Sequence, residues 1–284
     1  MKNIQYTKLL THLFLILSAL VFLVPVWMLL ATSTHSPEEI IQNGFQFTFG
    51  DHFLSTYKSI LFENESYTKS VTAGRMLINS LILGFGFATG KVIISSLAAY
   101  AIVYFRFKMA NFLFWIIFLT LLLPVEVRIV PSFEVLSSLN LLNSYTGLIV
   151  PLIASATGTF FFRQFYKSVP DELLEAAKID GANSWQFFVD ILLPLSKTMM
   201  IALFIVMFIV GWNQYLWPVM MTTKPEYSTL LLGIKEIYQS NFEGSYLPEY
   251  NKATAMTVLT LIIPVGIVII FQKWFVKGLV DTEK

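Results

Sequence analysis

Six stretches of about 20 mostly apolar residues alternate with polar segments along this 284-residue chain. A helix of that length crosses the hydrocarbon layer of a bilayer and satisfies its own backbone hydrogen bonds there. The composition agrees, because 56% of the residues are hydrophobic and only 13% are charged, against about 25% charged in soluble domains. We therefore predict an all-α integral membrane protein with six transmembrane helices, near residues 11–31, 76–99, 111–130, 145–165, 198–220 and 255–275.

Some of these six stretches are less typical of a transmembrane helix than others. The first is interpreted as a retained span rather than a cleaved signal peptide, because it is long and contains Pro25 and Trp27 instead of a small-residue cleavage site. Glu126 and Arg128 shorten the third stretch, and Pro151 interrupts the fourth.

Lysine and arginine are more frequent in the loops on one side of these spans than on the other, most clearly at the turn containing Arg106 and Lys108. Such a bias marks the cytoplasmic side. We therefore predict that both termini and the loop 166–197 are cytoplasmic and that the other long loops face outward. The predicted organisation is a cytoplasmic N-terminal segment (1–10), a six-span transmembrane domain that includes the loop 166–197 (11–275), and a cytoplasmic tail (276–284).

Several classes of function lack support in the sequence. The chain has no cysteine and only three histidines, irregularly spaced near the N-terminus, so we predict no metal site. The net charge of +1 does not favour a nucleic-acid partner. Gly84–Lys91 is glycine-rich, but Phe85 and Val92 stand where a phosphate-binding P-loop needs Gly and Ser or Thr. No set of nucleophile, base and acid is evident, so we predict no catalytic residues.

The polar segment 168–194 stands out between hydrophobic spans. Ser168 and Asp171 have the spacing of a capping box, with Pro170 in the first turn. Gly181 is placed to end this helix in a left-handed conformation, and a second short helix is predicted to end at Pro194. Two short helices at an angle would form a knob for a soluble partner. The alternative is an amphipathic helix lying on lipid headgroups, but such helices are usually basic, whereas this one is acidic.

The residues Glu175-Ala176-Ala177-x-x-Asp180-Gly181-Ala182, followed by Ile191-x-x-Pro194, resemble the EAA loop of permease subunits of binding-protein-dependent ABC importers. The resemblance implies a type I ABC importer permease fold in a bacterial inner membrane, with this loop as the coupling element for an ATPase. The implied coupling residues are Glu175, which contacts the ATPase; Ala176, Ala177 and Gly181, which shape the knob; Asp180, which holds its turn; and Pro194.

The same resemblance implies the partners. They are a second, different permease subunit, two copies of a cytoplasmic ATPase, a periplasmic or lipid-anchored solute-binding protein, and the lipid bilayer. The chain itself is then a non-catalytic subunit without a cofactor, since ATP and Mg²⁺ bind to the partner ATPase.

Further motifs resemble the carbohydrate-uptake branch of this family, and within it the smaller permeases of sn-glycerol-3-phosphate importers: Leu123–Ile129, Gly211–Pro218 and Phe275–Asp281. The implied substrate is sn-glycerol-3-phosphate, with glycerophosphodiesters as further candidates. Ser196–Thr198 departs from the sugar permeases, which often have a second proline there. Two alternatives stay open: a permease for a neutral sugar or oligosaccharide, and an integral membrane enzyme or scaffold.

Three residues are candidates for the substrate path. Arg128 lies at the end of the third span, and a guanidinium matches the geometry of a phosphate group. Alternatively, Glu126 and Arg128 meet lipid headgroups or the sister subunit. Asn213 and Gln214, late in the fifth span, either line the path or fasten helices together. Tyr215 and Trp217 are alternatively members of an interfacial aromatic belt.

Overall fold

The structure is a computed structural model that describes residues 2–63, 71–105, 107–243 and 248–280. Arg106, the loop residues 244–247 and the tail residues 281–284 therefore lie outside the described residues. The α-helices are α1 (Lys2–Thr32), α2 (Pro37–Asn43), α3 (Phe53–Phe62), α4 (Ala73–Tyr104), α5 (Ala110–Leu119), α6 (Val125–Ser138), α7 (Tyr145–Ile149), α8 (Ala156–Ser168), α9 (Asp171–Ile179), α10 (Ser184–Gln186), α11 (Leu193–Leu195), α12 (Lys197–Trp212), α13 (Leu216–Met221), α14 (Leu230–Glu243) and α15 (Tyr250–Val280).

The predicted all-α fold is confirmed, but only half of the spans are single helices. Lys8–Thr32, Ala73–Tyr104 and Tyr250–Trp274 are each long and apolar enough to cross a membrane. The other three candidates are bent pairs: Ala110–Leu122 with Val125–Ser138 (103°), Tyr145–Leu152 with Ala156–Ser168 (48°), and Ser184–Leu195 with Lys197–Trp212 (74°). By length and composition, the described residues thus supply up to six spans if each bent pair counts as one.

Proline and serine account for two of the bends. Pro124 lies at the break before α6, where a ring without an N–H interrupts the helical hydrogen bonding. Pro151 lies in the 3₁₀ turn Val150–Leu152, and the hydroxyl of Ser155 then caps α8 by accepting from the N–H of Gly158 at 3.1 Å. The predicted interruption of the fourth span at Pro151 is therefore confirmed.

The chain divides into two compact units, and the boundary between them falls within α4 and α15. The first unit comprises Met1–Leu77 and Leu230–Ile262. In it, Nδ1 of His35 lies 2.8 Å from the Glu39 carboxylate, and Nε2 lies 2.9 Å from the Thr48 carbonyl. Burial lowers the pKa of His35, but the hydrogen bonds to Thr48 and Glu39 outweigh it and leave the pKa above its usual value.

The second unit comprises Ile78–Thr229 and Ile263–Lys284, and small residues hold its helices close together. A Cβ atom added to Gly86 of α4 would lie 2.5 Å from Cδ1 of Ile149, and one added to Gly90 would overlap the side chain of Ile153. On α8, a Cβ at Gly158 would meet the Ser95 side chain. The small-residue spacing Gly86-x-x-x-Gly90 is therefore a helix-packing motif here, as in other membrane proteins.

We expect Gly90→Val to lower the thermal unfolding midpoint of the detergent-solubilised protein, because overpacking a tight contact costs about 1–3 kcal/mol. The side chain of Ile153 is the obstacle, with its Cβ 3.0 Å from the position of the new atom. Combining the change with Ile153→Ala should recover part of the loss. An unfolding midpoint that is equally low with and without Ile153→Ala would contradict this packing argument.

Candidate functional site

The segment 168–194, here called the knob, begins differently from the prediction. Ser168 is the last residue of α8, and its hydroxyl donates to the Phe165 carbonyl at 2.7 Å. The predicted capping box is therefore wrong, because the serine hydroxyl bonds backward to its own helix. The residue before the first turn of α9 is Pro170, and Asp171 and Glu172 occupy that turn, where acidic side chains favour the positive end of the helix dipole.

The end of α9 confirms the left-handed conformation that the sequence predicts for Gly181. Gly181 has a φ of +78°, and its N–H donates to the Lys178 carbonyl at 3.1 Å. The N–H of Ala182 donates to the Ala177 carbonyl at 2.9 Å, which completes a Schellman motif. These backbone bonds form the turn. Within the described residues the carboxylate of Asp180 has no hydrogen bond or ion pair. Its backbone N–H donates to the Ala176 carbonyl at 3.0 Å, so Asp180 takes part in this turn through its backbone.

One face of α9 is exposed and mixes charge with apolar surface. It carries Glu172, Glu175, Ala176 and Ile179, which lie close together at 3.6 residues per turn. Ile179 is 85% exposed, which is unusual for a side chain of that size on a polar segment. Ala177 points the other way and is only 4% exposed. The small size of Ala177, which was predicted to shape the knob, therefore serves packing inside the chain and not the exposed surface.

The second part of the knob continues through Pro194 instead of ending there. Asn183 and Gln186 form a reciprocal capping box at α10, with N···O distances of 2.9 and 2.8 Å. The chain then forms a π-helical turn over Phe187–Leu192 and runs on as α11 to Leu195. A π turn relieves the missing N–H and the bulky ring of Pro194. The helix ends at Ser196, whose hydroxyl bonds to the Leu192 carbonyl at 2.8 Å.

Two tyrosines near the end of α4 anchor the knob. The hydroxyl of Tyr100 donates to the Ser184 carbonyl at 2.6 Å, and its ring lies 4.9 Å from that of Phe188. Tyr104 packs edge-on against Phe187 at 5.2 Å and donates to the Tyr166 carbonyl at 3.2 Å. Neither tyrosine was predicted from the sequence, although two aromatic residues four apart at a helix end are a recognisable signal.

The three residues predicted for the substrate path lie at interruptions of their helices. Arg128 is exposed in the first turn of α6, directly after the break at Pro124. Asn213 is exposed at the end of α12, and Gln214 follows in the segment that separates α12 from α13. The side-chain amide of Gln214 donates to the carbonyl of Val210 in α12 at 3.2 Å.

The tryptophans beside these residues are buried, and Trp217 joins two helices. Trp212 is 2% exposed and stacks on Phe208 at 5.8 Å. Trp217 is 1% exposed, and its indole N–H donates to the Leu148 carbonyl at 3.1 Å. Trp217 therefore does not belong to an interfacial belt, while Tyr215 keeps 38% of its surface exposed.

Residues 91–281, about two thirds of the chain, match the family described as the binding-protein-dependent transport system inner membrane component. The chain belongs to this family. It is 46% identical over 273 residues, 96% of each chain, to the sn-glycerol-3-phosphate transport system permease protein UgpE of Yersinia pestis bv. Antiqua (strain Antiqua). It is 45% identical to the UgpE protein of Escherichia coli O1:K1 / APEC, covering 100% of this chain and 99% of that protein.

A solved structure supports the fold of this permease. A bacterial ABC transporter involved in the import of the acidic polysaccharide alginate aligns with a TM-score of 0.78, covering 95% of the permease and 97% of the matching chain. The sequence identity is 22%, so the likeness concerns the fold alone. The predicted type I permease architecture and the resemblance to the importer family are thereby confirmed.

Arg163 of the permease is a buried cation on the side of the knob. It lies within α8, only 9% exposed, with its guanidinium 3.9 Å from the Phe114 ring centroid. It also donates to the Asn111 side-chain oxygen at 3.0 Å. Arg163 therefore joins α8 to the start of α5 on the side of the knob.

Proposed function

We propose that this chain is one of two different membrane subunits of an ABC importer for sn-glycerol-3-phosphate. The observation that carries the proposal is the near-complete alignment with permeases named for that substrate. In this proposal both termini and the knob are cytoplasmic. A solute-binding protein delivers the substrate to the outer segments, and a pair of ATPase subunits, which bind ATP and Mg²⁺, contacts the knobs of the two permeases.

The exposed face of α9 is the proposed contact with the ATPase. Ile179 offers apolar surface, Ala176 permits close approach, and Glu175 offers a carboxylate to a basic side chain. Apolar anchors surrounded by polar residues are typical of protein interfaces. The acidic charge of α9 argues against a resting place on anionic lipid headgroups.

Helix α4 is the proposed transmitter of ATPase movement. The knob is fastened to it through the Tyr100–Ser184 hydrogen bond and the Tyr104–Phe187 ring contact. From there α4 runs without interruption for 32 residues. Through Gly86 and Gly90 it contacts Ile149 and Ile153, near the break of the fourth span. A displacement of the knob therefore reaches the helix breaks through closely packed contacts.

We expect uptake of radiolabelled sn-glycerol-3-phosphate to disappear when this chain is deleted from cells that keep the partner subunits. Uptake should return with the wild-type chain, because an importer cannot form its path without one of its two permeases. Rate measurements at several substrate concentrations, with unlabelled substrate as competitor, give the assay its specificity.

The same cells test the alternative substrates. Uptake that is indifferent to the chain would contradict the proposed substrate, and a panel of labelled neutral sugars would then replace it. A glycerophosphodiester that competes with the labelled substrate would place diesters among the substrates.

A further inference from the structure

Lys91 is a lysine in the middle of a membrane-spanning helix, and its ammonium group points to a helix break. Nζ lies 3.4 Å from the Ala154 carbonyl and 4.4 Å above the centre of the Phe87 ring. Ala154 belongs to the short non-helical segment between the turn Val150–Leu152 and α8. Lysine within a span is costly and usually faces the protein interior or an aqueous cavity.

Arg128 is a second cation at a helix break, in the first turn of α6 directly after Pro124. Its guanidinium acts electrostatically on the Lys91 ammonium group, although the two residues come from different spans. Within the described part of the chain, neither residue forms an ion pair with a carboxylate. Glu126 is two residues before Arg128 on α6, about 200° around the helix, so it points to another side.

The helix lengths place both cations at a similar depth. The knob-side ends of α4, α5 and α8 are Tyr104, Ala110 and Ser168, and they lie together through the Tyr104–Tyr166 and Arg163–Asn111 hydrogen bonds. Lys91 is thirteen residues from Tyr104, and Ala154 is fourteen residues from Ser168, or about 20 Å in each case at 1.5 Å per residue. The break before Arg128 follows thirteen residues of helix, again about 20 Å.

A third interruption reaches a comparable level. α12 ends at Trp212, sixteen residues into the span, which is about 24 Å of helix. Gly211 of α12 packs against Phe87, whose ring lies beneath the Lys91 ammonium group. Backbone that is not helical at membrane depth occurs where it is buried in protein or lines a water-filled cavity.

We propose that Lys91 and Arg128 together form the subsite that holds the phosphate group of the substrate during its passage through the membrane. The inference rests on the proposed function, since it assigns two cations that lie at helix breaks, Lys91 and Arg128, to one substrate. A phosphate monoester carries nearly two negative charges at neutral pH, so it offsets the mutual repulsion of the two cations. The Arg128 guanidinium offers paired N–H donors, and the Lys91 ammonium offers a compact charge.

Depth favours a substrate over a lipid as the source of the phosphate. A lipid headgroup remains at the surface of a hydrocarbon layer about 30 Å thick, whereas Lys91 lies about 20 Å along its helix from the knob-side end. A long, weak bond to the Ala154 carbonyl leaves the ammonium group donors to spare. A transported ion must bind strongly enough to enter and weakly enough to leave, and two separate cations on different helices suit that requirement.

The test uses the complete importer in proteoliposomes, with binding protein outside and ATP supplied to the ATPase subunits. We expect Lys91→Gln and Arg128→Gln each to reduce the transport rate of labelled sn-glycerol-3-phosphate at least about tenfold, the effect of losing one hydrogen bond to a charged group. Lys91→Arg should retain most of the rate. ATP hydrolysis stimulated by the loaded binding protein should continue in all variants. Lys108→Gln, which removes an exposed lysine elsewhere, is the matched control.

The possible results distinguish a failure of the proposed subsite from a failure of the proposed transport function. A wild-type importer that does not transport sn-glycerol-3-phosphate would overturn the proposed function. Wild-type transport that persists at full rate in both glutamine variants would overturn the subsite. A loss of transport accompanied by an equal fall in stimulated ATP hydrolysis and unfolding midpoint would assign the cations a structural role. A defect that depends on replacing phosphatidylglycerol by phosphatidylcholine, and not on the substrate, would assign them to lipid headgroups. Either of the last two results also overturns the subsite.

Discussion

Uptake of sn-glycerol-3-phosphate should fall at least about tenfold when Gly181 is replaced by valine, while the amount of chain in the membrane stays unchanged. Gly181 has a φ of +78°, and a Cβ added there would meet nothing within 4 Å. The cost is therefore conformational rather than steric. A left-handed residue with a side chain costs about 1–2 kcal/mol, and a β-branched one is a genuine outlier in this region.

The backbone strain at Gly181 would change the position of α9, which carries the exposed surface of the knob. The Schellman motif at Gly181 fixes the angle at which the chain leaves α9, through the bonds to Lys178 and Ala177. If this turn opens, α9 loses its position relative to α10, and the contact with the ATPase is lost. Transport, stimulated ATP hydrolysis and membrane content, measured side by side, distinguish uncoupling from failed insertion.

Gly181→Asn is the matched control for this prediction. Asparagine adopts left-handed conformations far more readily than valine, so most of the uptake should remain. Equal losses in the valine and asparagine variants would show that the backbone conformation of Gly181 does not decide the result.

Much of the fold was predictable from hydrophobicity, but of the breaks within spans only the one at Pro151 was predicted. Three spans are continuous helices, and two of them contain a proline that does not interrupt them: Pro25 in α1 and Pro264 in α15. Pro124 and Pro151 do interrupt their spans. Hydropathy cannot distinguish these cases, because the difference depends on contacts made by other helices.

Within the knob, the backbone conformation of Gly181 was predictable from the sequence. Which side chains of α9 are exposed and which are buried was not. Gly181 was identified correctly because only glycine readily takes a positive φ. Ala176 and Ala177 look equivalent in the sequence. Adjacent residues of a helix point in different directions, however, so Ala176 is exposed and Ala177 is buried. The start of α9, set by Pro170 rather than Ser168, determines that phase.

Lys91 shows a different limit. It was noticed in the sequence only as part of a glycine-rich stretch that fails as a P-loop. Its neighbours Phe87 and Ala154 come from one turn earlier and from another span, so its surroundings emerge only when the helices pack.

Ile179→Asp should largely abolish copurification of the partner ATPase with a tagged form of this chain. Ile179 is 85% exposed on the face of α9 that also carries Glu175 and Ala176. Burying an isoleucine side chain in an interface contributes about 1.5–3 kcal/mol, which corresponds to about a tenfold to hundredfold change in affinity. An aspartate there would add the cost of desolvating an unpaired carboxylate.

Two variants control for effects that are not specific to docking. Ile179→Val keeps most of the apolar surface and should copurify with nearly as much ATPase as the wild type. Val189→Asp makes the same kind of change at an exposed position (37%) in the π-helical turn, which is not part of the exposed face of α9. If Val189→Asp releases the ATPase as completely as Ile179→Asp, the contact is not confined to the exposed face of α9. If Ile179→Asp retains the ATPase and normal uptake, this face does not bind it, because a buried carboxylate without a partner is incompatible with a tight interface.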